Sequence, residues 1–204
     1  MTCQLNDALN KALEKFDNVQ DEREAETILE EIRSIARKGF APAQYSLGHL
    51  ILMNPSLFDS DKEASREAAK WLKKAADKGI PEACRYLGQM YADGDGVRKD
   101  IQKAIRLLTI AASAGQTFAQ SRLGRIYWLG DEVPVDKTKA YLWYSQAVRQ
   151  GEGEAQYVLG RMYFEGDPVP KDWNKALEYL KPAWSKGFPS ARRMIEEIEA
   201  TQRK

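Results

Sequence analysis

Few residues in this 204-residue sequence have both the types and the spacing that catalysis or metal binding needs. The run Asp93-Gly94-Asp95-Gly96 alternates carboxylates with glycine, as a loop does when it offers several oxygens to a hard cation such as calcium. Its register then fails. No Glu stands where a loop of about twelve residues places its bidentate ligand, and Arg98 and Lys99 add repelling charge. His49 is the sole histidine, so a Ser-His-Asp or Cys-His arrangement would have to centre on it, and no partner signature lies nearby. It reads as a solvated residue or as part of a binding face. Cys3 and Cys84 make neither a metal spacing nor a disulfide framework. The sequence has no phosphate-cradling Gly-x-x-x-x-Gly-Lys run, no Gly-x-Ser-x-Gly elbow and no His-Glu-x-x-His pair. Catalytic residues, cofactors and metals are therefore not expected.

A second set of residues suits recognition. Tyr45, Arg85, Ser121, Tyr157 and Arg193 each stand two places after a recurring alanine, and His49, Gln89, Arg125 and Arg161 stand six places after it. The two series are four residues apart and so share one helical face. The ninth place adds Leu52, Ala92, Trp128 and Phe164. Arginine interleaved with large rings is the composition of an interface hot spot, because planar guanidinium groups and rigid rings gain most from desolvation. Single-stranded nucleic acid is held by the same types, and a solvated helix face carrying arginine has the same appearance. Thirty-one basic against thirty acidic side chains leave a net charge of +1, which gives no global attraction to nucleic acid or to an anionic membrane.

The elements that position these residues follow from internal repetition. Gly39, Gly79, Gly115, Gly151 and Gly187 are spaced by 40 residues and then by 36 three times. Four places after each comes Ala43, Ala83, Ala119, Ala155 and Ala191, then Leu47, Leu87, Leu123, Leu159 and the degenerate Ile195. Gly48, Gly88, Gly124 and Gly160 follow the leucines, and Tyr91, Tyr127 and Tyr163 recur beyond them. Downstream, Asp100, Asp136 and Asp172 precede Ala104, Ala140 and Ala176 by four, and Trp71, Leu107, Trp143 and Tyr179 follow their alanines by three as expected core spacers. Three- and four-residue apolar spacing predicts helices with one buried face, with Asp as N-cap and Gly as left-handed C-cap. Each unit is thus two short helices, A and B. The recurring small residues allow close packing. Asn54-Pro55-Ser56-Leu57-Phe58-Asp59-Ser60-Asp61 reads as a surface insertion in the first unit. Cys84 stands where other copies have Gln120 and Gln156 and reads as a packing or surface thiol, whereas Trp128, Phe164 and Trp173 break the consensus and are candidates for contact.

The segments Ala155-Gln156-Tyr157-Val158-Leu159-Gly160-Arg161-Met162-Tyr163, then Gly166, then Asp172 with Lys175-Ala176-Leu177, resemble the Sel-one-like repeat, a relative of the tetratricopeptide repeat. Ala83 through Tyr91 with Gly94-Asp95-Gly96 is similar. The departures are the longer first loop, Glu132 and Pro168 where one copy has Gly96, and a degenerate final helix. The resemblance implies an all-α, right-handed α/α superhelical solenoid whose A helices line a concave surface. It also implies a role as an adaptor in protein assemblies or, in some bacterial members, as an immunity protein neutralising a delivered toxin. A hydrolase is the competing class.

The expected organisation is one continuous array. Residues 1–40 form a helical pair capping it, with a stripe of Leu5, Ala8, Leu9, Ala12, Leu13 and Phe16 and another of Ile28, Leu29, Ile32, Ile35 and Ala36. Four repeats span 41–80, 81–116, 117–152 and 153–188, and 189–204 form a closing helix with Met194, Ile195 and Ile198 inward. The expected function is non-enzymatic binding of an acidic or amphipathic protein segment through Tyr45, His49, Arg85, Gln89, Arg125, Trp128, Tyr157, Arg161, Phe164 and Arg193. Nucleic acid and membrane insertion are not expected. Without an apolar leader the chain reads as cytoplasmic, and as periplasmic or secreted if a leader has been removed.

Overall fold

A computed structural model describes residues 2–203, so the outermost residues of the two expected capping segments, Met1 and Lys204, lie outside the described residues. Among those described there are helices and no strands. The chain divides into two compact units, Met1–Ala114 and Gly115–Lys204. The first contains α1 (Thr2–Asp17), α2 (Glu22–Arg37), α3 (Ala41–Met53), α4 (Asp61–Ala76), α5 (Pro81–Asp93) and α6 (Ile101–Ser113). The second contains α7 (Thr117–Leu129), α8 (Lys137–Ala147), α9 (Gly153–Glu165), α10 (Trp173–Ser185) and α11 (Pro189–Gln202).

The A–B hairpins of the last three repeats close by the same local chemistry. Asp100, Asp136 and Asp172 sit before α6, α8 and α10, and their carboxylates accept from the third backbone N–H of the helix, at 3.0, 2.9 and 3.0 Å. Their own N–H groups donate back to Tyr91, Tyr127 and Tyr163 carbonyls at 2.9 to 3.0 Å. Lys103, Lys139 and Lys175 then hold their ammonium groups 5.3, 5.1 and 5.1 Å from the same tyrosine rings. One aspartate therefore satisfies the helix start and ties it to the preceding helix. Ser60 does the capping at α4.

The backbone N–H of Lys103, then its ammonium, holds Asp100 below the usual carboxylate range, and Lys139 does the same for Asp136. A depressed native value means stability that is complete above the unfolded pKa and lost as pH falls through the native one. Asp136→Asn keeps a capping oxygen but cannot titrate. Its melting temperature should therefore depend less on pH below about 4 than that of the wild type, as a pH series of thermal melts would show.

Packing explains the small residues. Ala43, Ala83, Ala119, Ala155 and Ala191 are completely buried, as are Ala68, Ala104, Ala140 and Ala176 on the B helices. A Cβ on Gly48, Gly88, Gly124 or Gly160 would lie 2.7, 2.9, 2.9 or 2.6 Å from Leu72, Leu108, Tyr144 or Leu180 of the same hairpin. Those four side chains, four places after the B-helix alanines, are fully buried. The sequence pattern had placed the core spacer one residue earlier. Trp71 is buried there, but Leu107, Trp143 and Tyr179 are only half-buried. Both positions are apolar, and only the close approach to glycine selects the later one.

Successive hairpins are joined by backbone ties. Lys78 donates to the Gly39 carbonyl, Gln150 to that of Gly115 at 2.9 Å, and Lys186 to that of Gly151. The glycines that end the B helices have φ between 75° and 91°, where a Cβ is disfavoured. Gln44 reaches from the first turn of α3 to the Ala36 carbonyl at 3.1 Å. The Cys84 thiol occupies the equivalent place 4.0 Å from the Ala76 carbonyl. Cys84 is completely buried, and burial, reinforced by Asp77 and Glu82, pushes its thiol up. It is a packing group.

Two expectations need correction. Ala8 is exposed, and the inward stripe of α1 is Leu9, Ala12 and Phe16 with Leu5 and Leu13 beside them. The inserted loop is also more than surface. Pro55–Leu57 form a turn of 3-10 helix, and Leu57 and Phe58 pack against the core of the first unit.

Candidate protein interface

In the first unit, α3 and α5 bring four aromatic or cationic side chains together. Tyr45 and His49, one turn apart on α3, stack at 5.7 Å. Tyr86 of α5 lies 4.9 Å from His49 and 6.3 Å from Tyr45, and the Arg85 guanidinium sits 3.7 Å over the Tyr86 ring. Tyr86 was missed by the offset rule because it stands three places after its alanine, between the two selected series. Gln89 turns along its own helix and donates to Asp93. The Gly94 and Asp95 N–H groups donate to the Met90 carbonyl at 2.8 and 3.1 Å, with Gly94 left-handed at φ 78°, which makes Asp93-Gly94-Asp95-Gly96 the closing turn of α5.

Burial, then the Arg85 charge, pushes the His49 imidazole below its usual pKa. The unfolded chain therefore takes up the proton at higher pH than the native one, so stability falls as pH drops below about 6.5. His49→Gln should flatten the decline of melting temperature between pH 7 and 5, which parallel melts in matched buffers would measure.

In the second unit, α7, α9 and α11 carry the remaining candidates. Arg161 of α9 lies 5.3 Å over the Trp128 ring of α7, and the ammonium of Lys137 lies 5.6 Å from that ring. The cation and the ring thus come from successive A helices. Arg161 Nε donates to Glu165 at 2.6 Å, which leaves the terminal nitrogens of the guanidinium available. Arg125 and Arg193 are exposed. Tyr157 stacks on Phe188 at 5.8 Å. Lys171 lies 5.7 Å from Phe164 and 5.2 Å from Trp173; the Nε1 of Trp173 is buried without a hydrogen-bond partner. Lys137 opens α8 and Lys171 sits in the loop between α9 and α10, both outside the offsets that singled out the other residues.

Chemically, these surfaces offer rings already flanked by guanidinium or ammonium groups. Such pairs accept carboxylates and apolar anchors while keeping the ring in a fixed orientation. Among the described residues no three His, Cys, Asp or Glu side chains are grouped to hold a metal. No helix there is long and apolar enough to cross a membrane.

Tandem A–B hairpins with glycine-to-B-helix contacts and Asp-capped B helices define an all-α helical-repeat solenoid protein. The Sel1 repeat model matches residues 41–80, 81–116, 117–152 and 153–188, and the chain belongs to the Sel1 repeat family. It is similar to a protective antigen present in uropathogenic Escherichia coli strains that displays this repeat fold, at 29% identity and a TM-score of 0.78, covering 94% of this chain and 42% of that one. It is also similar to a Sel1 repeat protein from Oxalobacter formigenes, at 31% identity and a TM-score of 0.69, covering 94% and 54%. A Sel1 repeat protein from Klebsiella pneumoniae shares the fold at 24% identity and a TM-score of 0.51, covering 86% of each chain. The chain thus spans about half the length, or less, of the first two. No functionally curated protein matches.

Proposed function

We propose that this chain is a non-enzymatic adaptor that binds an acidic or amphipathic segment of a protein partner on the A-helix face of its second unit. The observation that carries this reading is the Arg161–Trp128 pair across α7 and α9, with Arg125 exposed on the same helix as the ring. An arginine held over a tryptophan loses little rotamer freedom on binding, and it offers a fork to a carboxylate beside an apolar surface. Members of the family commonly serve as protein-interaction scaffolds. Tyr157, Phe164 and Arg193 extend the surface, and Tyr45, His49, Arg85 and Gln89 give the first unit a face of similar composition.

The test is capture from the native host, with wild-type chain and the Arg125→Glu, Arg161→Glu variant as baits and quantitative mass spectrometry as readout. A partner retained by the first bait and lost from the second supports the reading. If that partner is an enzyme silenced in the complex, the adaptor role gives way to neutralisation through the same face. Equal capture by both baits removes the A-helix face as the site.

A further inference from the structure

A different surface of the first unit is organised around charge. A groove of about 630 Å³ opens between α2 and α4. Lys62, Arg66 and Lys70 form one wall at successive four-residue steps along α4, and Arg33 and Arg37 form the other, four residues apart on α2. Phe58 of the inserted loop and the edge of Trp71 make the apolar part of the lining. A second hollow, of about 570 Å³, shares Lys62 and Arg66 and reaches Arg98, with Asp61 and Asp95 also in its lining.

Two carboxylates, Glu63 and Glu67, also line the groove. Glu67 is already occupied, accepting from Trp71 Nε1 at 2.8 Å and Lys70 at 3.1 Å. Arg33 pairs with Glu30, which lies outside the groove, and its Nε is buried without a partner. Arg37, Lys62 and Arg66 form no ion pair among the described residues. In a chain of net charge +1, this is a local concentration of cations with fewer anions than they can satisfy.

The spacing selects the occupant. Four residues of helix rise about 6 Å, and alternate residues of an extended peptide are about 6.6 Å apart. Cations on the α4 wall are therefore in step with acidic side chains at every second position of an extended chain. Nucleic acid fits less well. Trp71 is buried and its indole N–H is spent on Glu67, which leaves Phe58 alone where single strands stack successive bases on several rings, and Glu63 and Glu67 oppose a continuous run of phosphates. We infer that the α2–α4 groove is a second docking site, distinct from the A-helix face, for an extended acidic peptide segment of a partner protein.

Fluorescence anisotropy with a labelled peptide of alternating glutamate and serine tests this on the full chain. Saturable binding is expected, absent for the same peptide with glutamine in place of glutamate, and weakened at least about tenfold by Arg37→Glu with Arg66→Glu. The weakening by Arg37→Glu with Arg66→Glu should persist when the two changes are added to the Arg125→Glu, Arg161→Glu variant, which removes any binding of this peptide at the A-helix face, so the groove is read separately from that proposal. Circular dichroism verifies the fold. If the glutamate variant melts early, Arg37→Gln with Arg66→Gln replaces it and must show the same direction of change. No saturable binding, equal affinity of the groove variant, or tighter binding of an oligothymidylate than of the peptide overturns the inference.

Discussion

Gly124→Leu should destabilise the chain by at least about 3 kcal/mol, and so lower its melting temperature by roughly 6–12 °C for a protein of this size. Gly124 lies inside α7, where helical geometry suits any residue except proline, so backbone strain is not the reason. A Cβ there would stand 2.9 Å from Tyr144 ring carbons. The ring has nowhere to go: Tyr144 is fully buried, and its hydroxyl donates to Glu154 at 3.1 Å. Burial, then Glu154, pushes the phenol well above its usual pKa and keeps that donor protonated. Displacing the ring would create a cavity and break a hydrogen bond to a charged acceptor as well as overpack the hairpin. Gly115→Ala supplies the contrast, because its φ of 88° is unfavourable but nothing lies within 4 Å of the added carbon. Thermal melts of Gly124→Leu, Tyr144→Ala and the double variant form a cycle. Strong non-additivity is expected, because the second change makes room for the first. Additive costs, or an unchanged melting temperature for Gly124→Leu, sink the close-approach explanation.

The same contact shows what could be read from sequence and what could not. Alanine and glycine recur because no larger residue fits, and a constraint repeated at fixed spacing is visible without coordinates. The hairpins, the aspartate caps and the glycine turns were legible for that reason. The residue facing each glycine was not. Trp143 and Tyr144 are adjacent, apolar and both compatible with helical spacing, and only three-dimensional packing buries the second completely. Candidate interface residues had a weaker signal still, because binding positions vary between copies. Offsets found Arg161 and Trp128, but spacing within a unit carries no sign of the contact that joins α7 to α9. Tyr86 escaped because it sits between the chosen offsets. In the α2–α4 groove, Lys62, Arg66 and Lys70 show their periodicity in sequence, but Arg33 and Arg37 belong to a helix two elements away. Phe58 reaches the groove from a loop that reads as surface.

Charge reversal at Arg125 and Arg161 together should abolish partner binding while leaving helicity and melting temperature close to wild type. Arg125 is exposed, and the Arg161–Glu165 pair is half-exposed, lying along a single helix. Such pairs contribute about 0–1 kcal/mol to folding. Binding is different, because a partner carboxylate docked on the guanidinium and an apolar anchor against Trp128 would be desolvated together. Truncating groups in that situation costs more than about 2 kcal/mol, which is at least about 30-fold in Kd, and reversal adds repulsion. The control must carry the same change in net charge. Lys73→Glu with Arg106→Glu does so on the exposed B-helix surfaces of α4 and α6. Lys74 is avoided because its ammonium lies 4.2 Å over Trp71. A long-range attraction to an acidic partner would weaken equally in both double variants and would vanish in high salt. A docked interface would fail only in the first, mainly through faster dissociation. Surface plasmon resonance with the captured partner separates the two. Equal affinities for the Arg125, Arg161 variant and wild type would leave those arginines as solvated charge and place binding on another surface.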